Sequence, residues 1–156
     1  MMHDFAYLAA ADLDEALRNL ESGVACVHAG GSDLVTTLRE GTTRCEQVIS
    51  IGGLDALRER ERRDGGGMSL GALVTIAEVA RDPDVVARFP ALAQAAAAVG
   101  SPQLRNQGTL GGNLCQKPRC WYWRGDFRCL RQGGDTCFAQ VGQNAGHAIF
   151  GGDACI

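Results

Sequence analysis

Four late cysteines are the residues of this sequence whose type and spacing most directly suggest chemistry. Cys120, Cys129, Cys137 and Cys155 are separated by eight, seven and seventeen residues. Thiolates ligate both zinc and iron–sulfur clusters. The spacing is neither the C-x-x-C pair of a zinc ribbon nor the compact run of a bacterial ferredoxin, so it does not by itself select the metal.

Two glycine loops add a second kind of candidate site. Residues 29–34 read AGGSDL, and residues 109–114, just before the cysteines, read TLGGNL. Because glycine has no Cβ, both loops can bring bare backbone N–H groups close to an anionic ligand. The first loop lies between a predicted strand and a predicted helix, where phosphates bind in open α/β sheets. A tight turn with Ser32 as a plain helix N-cap explains that loop equally well.

Composition and charge exclude several classes of partner. The chain has 156 residues, enough to bury a core, and its 21 glycines exceed the usual share of about 7%. The net charge is −3 with both signs interspersed, so we expect neither nucleic acid nor an anionic membrane as a partner. No apolar run reaches the roughly 20 residues that span a bilayer, and the N-terminus lacks a signal-peptide pattern, so we expect no membrane insertion.

The seven cysteines favour metal ligation over disulfides. An odd number cannot pair completely, and a chain of this size does not usually need disulfides for stability. Cys26 and Cys45 lie in the apolar first part of the chain and are interpreted as small buried hydrophobic residues. The role of Cys115, at the exit of the second loop, stays open.

Hydrophobic periodicity predicts an α/β beginning. Strands over 5–8, 24–28 and 47–51 alternate with helices that begin near Asp12 or Asp14 and at Leu34, which gives a βαβαβ unit. The turn sequence at 64–67 predicts a hairpin of 57–63 with 68–73. Thr75 and Glu78 form a capping-box pattern, and residues 91–99 predict a further helix.

The motifs AGGSDL and SPQLRNQGTLGGNL, about eighty residues apart, resemble the FAD-binding subunit of the molybdenum hydroxylases, the xanthine dehydrogenase and aldehyde oxidoreductase family. The continuation NLCQKPRCWYWR with its later cysteines further resembles the bacterial periplasmic aldehyde oxidoreductase type of this subunit. The resemblance implies an α+β, two-lobed FAD-binding domain of the vanillyl-alcohol oxidase (PCMH) type. The βαβαβ lobe would be residues 1–53, and the second α+β lobe residues 54–156 with a cysteine-rich insert at 115–156. Family members continue past this point with an HPSD-like segment and a further domain, so the chain is expected to be a partial, truncated subunit.

The same resemblance assigns residues to cofactors. The implied contacts with FAD are Ala29, Gly30, Gly31, Ser32, Asp33, Leu34, Thr109, Gly111, Gly112 and Asn113. The implied ligands of a [4Fe-4S] cluster are Cys120, Cys129, Cys137 and Cys155. Trp121, Tyr122 and Trp123 are expected to shield that cluster. The neighbouring arginines, which are expected to form a solvated face rather than to moderate the cluster charge, are Arg119, Arg124, Arg128 and Arg131.

The function implied is electron transfer within a larger enzyme. Partner subunits would carry the molybdenum cofactor and a [2Fe-2S] centre, and FAD would pass electrons to an external acceptor. No catalytic acid, base or nucleophile is assigned, and His3, His28 and His147 are interpreted as packing or surface residues. The compartment would be the cytoplasm, or the periplasm by co-export with a signal-bearing partner. The alternative is a non-catalytic module with structural zinc at the cysteines; a stand-alone flavin oxidase would need a catalytic base that the sequence does not offer.

Overall fold

A three-stranded parallel sheet begins the fold in the computed structural model, which describes residues 2–148. β1 (Ala6–Ala9), β2 (Ala25–His28) and β3 (Gln47–Ser50) are ordered β1-β3-β2, so β3 is hydrogen-bonded on both sides. Helices α1 (Leu13–Leu20) and α2 (Leu34–Glu40) connect the strands. The predicted βαβαβ unit is confirmed.

The start of α1 shows how the sequence sets these elements. The side chain of Asp12 accepts a hydrogen bond from the N–H of Glu15 at 2.7 Å, which satisfies one of the unpaired donors of the first turn. Ala16 then faces the sheet and packs with Ala10 and Ile49, all three of them buried.

The predicted hairpin is also confirmed, although it is shorter than expected. β4 (Arg60–Arg62) pairs antiparallel with β5 (Met68–Leu70), and residues 55–58 form a 3-10 turn instead of a strand. The strand β4 is exposed, as predicted, but its charges are paired. Arg60 lies 3.3 Å from Asp82, and Arg62 bonds to Asp84.

A set of short helices follows the hairpin and encloses the main apolar core. They are α3 (Ile76–Arg81), α4 (Pro83–Arg88), α5 (Pro90–Ala98), α6 (Pro102–Gln107) and α7 (Leu110–Leu114). The capping box of Thr75 and Glu78 at the start of α3 is confirmed. The buried cluster that these elements share consists of Val74, Ile76, Val79, Val85, Ala93 and Ala96.

The described residues divide into two compact units. One comprises Asp4–Thr36 and Cys45–Cys115, and the other contains the remaining residues, 37–44 and those after Cys115 among them. The predicted first lobe therefore shares its unit with the hairpin and with α3 to α7, and the predicted lobe boundary near Gly53 stays a prediction. In residues 2–148 no helix combines the length and apolarity that crossing a membrane requires.

The second unit contains the cysteine-rich segment. Its regular structure after Cys115 is α8 (Trp121–Arg124) with 3-10 turns at Leu130–Gln132 and Phe138–Gln140. Its buried cluster consists of Cys120, Trp123, Cys129 and Ala139. The predicted ligand Cys155 lies outside the described residues.

Candidate functional site

The first glycine loop follows the carboxyl end of β2 and leads into α2. Gly31 has φ +72°, and a Cβ atom there would lie 2.6 Å from Nε2 of His28, so the position requires glycine. The backbone N–H groups of Gly30, Gly31 and Ser32 donate to no backbone carbonyl among residues 2–148. The Nδ1 atom of His28, which is buried at the start of this loop, has no hydrogen-bond partner there either. The loop thus presents unsatisfied polar groups at an edge of the sheet where ligands commonly bind.

The second glycine loop is fixed by backbone hydrogen bonds to the segment before α3. The N–H of Leu110 donates to the carbonyl of Val74 at 2.7 Å, and the N–H of Gly111 donates to the carbonyl of Ala72 at 2.9 Å. A Cβ atom on Gly111 would lie 2.8 Å from Cβ of Ala72. Close packing against Ala72 therefore requires a glycine at position 111.

The remaining N–H groups of this loop are satisfied by Thr109. Its hydroxyl accepts from Gly112 at 3.2 Å, and its carbonyl accepts from Asn113 at 2.9 Å. The expectation of bare N–H groups in this loop is therefore wrong for residues 110–113, because they form a short capped helix. The binding of a ligand by Thr109, Gly111, Gly112 and Asn113 stays a prediction. Of the two glycines among them, Gly112 is exposed and Gly111 is half-buried.

The first glycine loop lies against the two residues that precede the second loop, Gln107 and Gly108. A Cβ atom on Gly30 would lie 1.8 Å from the carbonyl oxygen of Gln107, and one on Gly108 would lie 3.3 Å from Oγ of Ser32. Ala29, Asp33 and Leu34 are half-buried beside them. Two segments about eighty residues apart in sequence are thus neighbours in the fold. Gln107 is not among the predicted site residues. It contacts Gly30 through its backbone carbonyl, and its residue type gives no indication of such a contact in the sequence.

Three of the four predicted ligand cysteines line a single cavity. Cys120 and Cys129 are 5% and 7% exposed, and Cys137 is half-buried. The remaining residues that line the cavity are Tyr122, Trp123, Leu130, Arg131, Phe138, Ala139 and His147.

A tight loop brings Cys129 and Cys137 to the same cavity. The N–H of Gly134 donates to the carbonyl of Cys129 at 3.0 Å, and Cys129 forms a parallel bridge with Thr136. A Cβ atom on Gly134 would lie 1.7 Å from the carbonyl oxygen of Arg128, so only glycine allows this return of the chain.

The arrangement of the described side chains bears on a centre with a single metal ion. No three side chains of His, Cys, Asp or Glu within residues 2–148 converge closely enough to hold one metal ion. A tetrahedral zinc site with Zn–S bonds of about 2.3 Å needs such convergence. The predicted fourth ligand, Cys155, lies outside these residues, so the predicted iron–sulfur cluster stays a prediction.

The aromatic residues near the cysteines differ in their roles. Trp123 is 4% exposed and lines the cavity, and Tyr122 packs edge-on against Phe127 with ring centroids 5.1 Å apart. Trp121 is 64% exposed and is not among the residues that line the cavity. Its expected role in shielding a centre stays a prediction.

Arg124 is not part of a solvated face, contrary to the prediction. Its side chain is 12% exposed, and its guanidinium lies 5.3 Å from the ring centroid of Trp123 and 3.6 Å from the carboxylate of Glu40. It also donates to the carbonyl of Pro118 at 3.2 Å. Arg124 thereby joins the end of α2 to the cysteine-rich segment. Arg131 lines the cavity.

The other cysteines behave largely as the sequence indicated. Cys45 is buried, Cys26 is half-buried and Cys115 is exposed. Burial, followed by a hydrogen bond with the thiol of Cys26, raises the pKa of Cys45 to about 11. Cys45 is therefore an unreactive thiol.

Comparison with known proteins identifies the family. The family described as "FAD binding domain in molybdopterin dehydrogenase" matches residues 3–129. The chain belongs to this family. The resemblance inferred from the two glycine motifs is thereby confirmed, and so is the α+β fold class. Cys137 and His147 lie beyond the matched residues.

Named relatives of this FAD-binding domain are subunits of oxidoreductases. The chain is 35% identical over 131 residues to the aldehyde oxidoreductase FAD-binding subunit PaoB of Escherichia coli K12, covering 82% of this chain and 41% of the relative. It is 37% identical over 116 residues to the nicotinate dehydrogenase FAD-subunit of Eubacterium barkeri, covering 72% of this chain and 39% of the relative. The chain thus spans about two fifths of the length of these relatives.

Solved structures agree with this FAD-binding domain in fold. Quinoline 2-oxidoreductase from Pseudomonas putida 86 superposes with a TM-score of 0.71 at 30% identity, over 76% of this chain and 41% of the other. Carbon monoxide dehydrogenase from Hydrogenophaga pseudoflava gives a TM-score of 0.69 at 32% identity, over 73% and 40% of the two chains.

The residues of this FAD-binding domain fit a dinucleotide at the paired glycine loops. N–H groups at Gly30, Gly31 and Ser32 that have no backbone acceptor suit phosphate oxygens. The thiols of Cys120, Cys129 and Cys137 around one cavity have the soft donor chemistry that an iron–sulfur cluster requires.

Proposed function

We propose that this FAD-binding domain belongs to the electron-transfer subunit of a molybdenum-dependent dehydrogenase of the xanthine dehydrogenase and aldehyde oxidoreductase type. Electrons taken from an aldehyde or N-heterocycle on a molybdenum subunit would pass a [2Fe-2S] subunit and reach an external acceptor by way of this chain. The observation that carries the proposal is the close approach of Gly30 in the first glycine loop to Gln107, two residues before the second loop begins, in a member of this family.

The paired loops would hold FAD. Residues 29–34 would bind its pyrophosphate through the N–H groups that have no backbone acceptor, and Thr109, Gly111, Gly112 and Asn113 would line the other side. Bound FAD would supply the exchange of electrons singly or in pairs. The chain's own contribution is binding and orientation, so no side chain is assigned as acid, base or nucleophile.

The cysteine cavity would hold a [4Fe-4S] cluster. Cys120, Cys129 and Cys137 would supply three thiolates, and Cys155 the fourth. The support is that the three described cysteines line one cavity.

The partners would be the subunits that such enzymes combine. One would carry the molybdenum cofactor and another the [2Fe-2S] centre. The names of relatives such as the nicotinate dehydrogenase FAD-subunit and the carbon monoxide dehydrogenase medium chain support a multi-subunit enzyme. The complex would work in the cytoplasm, or in the periplasm after co-export with a signal-bearing partner.

Flavin, iron and acid-labile sulfide analysis of the purified complex tests the proposal. Gly112→Val is the informative variant because a Cβ there would meet only Oγ1 of Thr109, at 3.0 Å, so the added side chain would project into the proposed ligand site. Gly53→Val is the matched control, since a Cβ on Gly53 meets no atom within 4 Å. We expect flavin loss in the first variant and full flavin in the control.

Two results would contradict the proposal. Full flavin occupancy in Gly112→Val would remove the second loop from the FAD site. A colourless protein that contains zinc in place of iron and flavin would favour the structural metal module.

A further inference from the structure

His147 lies beside the cysteine cavity. Its ring lines the cavity with Cys120, Cys129 and Cys137, and its Nε2 atom lies 3.8 Å from Sγ of Cys137. The residue is half-buried. An imidazole N–H can donate a weak hydrogen bond to sulfur at this separation.

The backbone holds His147 in this position. A Cβ atom on Gly146 would lie 2.5 Å from the carbonyl oxygen of Arg119 and 3.5 Å from Cα of Cys120, so the chain packs backbone against backbone there. The N–H of His147 donates to the carbonyl of Asn144 at 2.9 Å and closes a turn. The backbone of this segment therefore packs beside Cys120, while the ring of His147 contacts Cys137.

We propose that His147 is a positioning residue for the [4Fe-4S] cluster, donating a ring N–H hydrogen bond to the Cys137 thiolate and thereby raising the reduction potential of the cluster. This inference rests on the proposed cluster function. A hydrogen bond to a ligand sulfur draws electron density from it, which favours the more negative, reduced form of the centre. His147 would also fix the rotamer of Cys137, which is the least buried of the three described ligands.

The test is an EPR-monitored redox titration with dithionite on the native complex, combined with iron and sulfide analysis. His147→Ala should retain iron and sulfide, with a midpoint potential more negative than that of the wild type. His147→Gln offers an amide N–H donor and should return the potential toward the wild-type value. Gln143→Ala, an exposed position in the same segment, is the control and should leave the potential unchanged.

The possible failures are distinguishable. An unchanged potential in a fully loaded His147→Ala protein would overturn the hydrogen bond. Iron loss in both His147 variants, as severe as in Cys129→Ser, would make His147 a ligand and overturn the positioning role. A wild-type complex without iron and sulfide would instead overturn the proposed cluster itself, and the inference with it.

Discussion

Gly30 and Gln107 touch backbone to backbone, so that no side chain fits between the first glycine loop and the end of α6. A Cβ on Gly30 would lie 1.8 Å from the Gln107 carbonyl oxygen. We expect Gly30→Ala to force the loops apart, lower the free energy of unfolding by about 1–3 kcal/mol and release FAD. Urea unfolding and flavin content measure both effects. Gly53→Ala, which adds its methyl group to open space, should change neither.

Cys129→Ser should remove the proposed iron–sulfur centre without removing FAD. Cys129 is buried in the cysteine cavity, whereas the flavin loops belong to the other compact unit. We expect iron and sulfide to fall to background while flavin per protein stays near the wild-type value. Cys115→Ser, which changes an exposed thiol, is the control. Wild-type iron content in Cys129→Ser would rule out that cysteine as a ligand.

Because of the capping box at the start of α3, the free energy of unfolding should decrease at acid pH. Hydrogen bonds from the backbone N–H and then the hydroxyl of Thr75 lower the pKa of Glu78 in the folded protein. Because the folded pKa is depressed, this stabilisation is present above the ordinary glutamate value of about 4.3 and is lost as the pH falls through the folded pKa.

Glu78→Gln tests that dependence. The wild type should be more stable than Glu78→Gln at pH 7 by about 0.3–1 kcal/mol, because the carboxylate also faces the positive end of the helix dipole. The difference should shrink as the pH is lowered below 4. Urea denaturation at a series of pH values measures it. Glu46→Gln, at an exposed position outside any helix, should show no such difference, and a constant gap for Glu78→Gln would contradict the assignment.

The cysteines should differ sharply in their reaction with iodoacetamide. With a pKa of about 11, only roughly a thousandth of Cys45 is thiolate at pH 8, and the residue is also buried. Cys115 is exposed and should be carbamidomethylated first. Peptide mass spectrometry of timed samples would show this order, and unfolding in urea should abolish it. Early modification of Cys45 in the folded protein would contradict its buried environment.

Local signals in the sequence were sufficient for the sheet and for the capped helices. The cap at Asp12, the capping box at Thr75 and the glycines at 64–67 act over three or four residues, so their consequences could be predicted. The helices α4 and α6 were missed, although proline at the first helical position marks both. Both helices are six residues long, which is too short to show the helical repeat of apolar residues.

Contacts between distant segments could not be predicted. The glycines of the second loop were interpreted as presenting bare N–H groups, but the carbonyls of Ala72 and Val74 accept from Gly111 and Leu110. The pairing of Arg124 with Glu40 likewise depends on the fold that joins positions 84 residues apart. His147 did carry a signal, because it is the one histidine in the cysteine-rich sequence.

The central place of β3 has a consequence for biosynthesis. β1 and β2 each pair with β3 and not with each other, so neither strand has a hydrogen-bonded neighbour until residue 50 has left the ribosome. The loop that would receive the pyrophosphate therefore emerges before its supporting sheet exists, and its partner at Gln107 is translated later still. A cofactor held by this pair of segments could then be captured only after residue 107 has been synthesised.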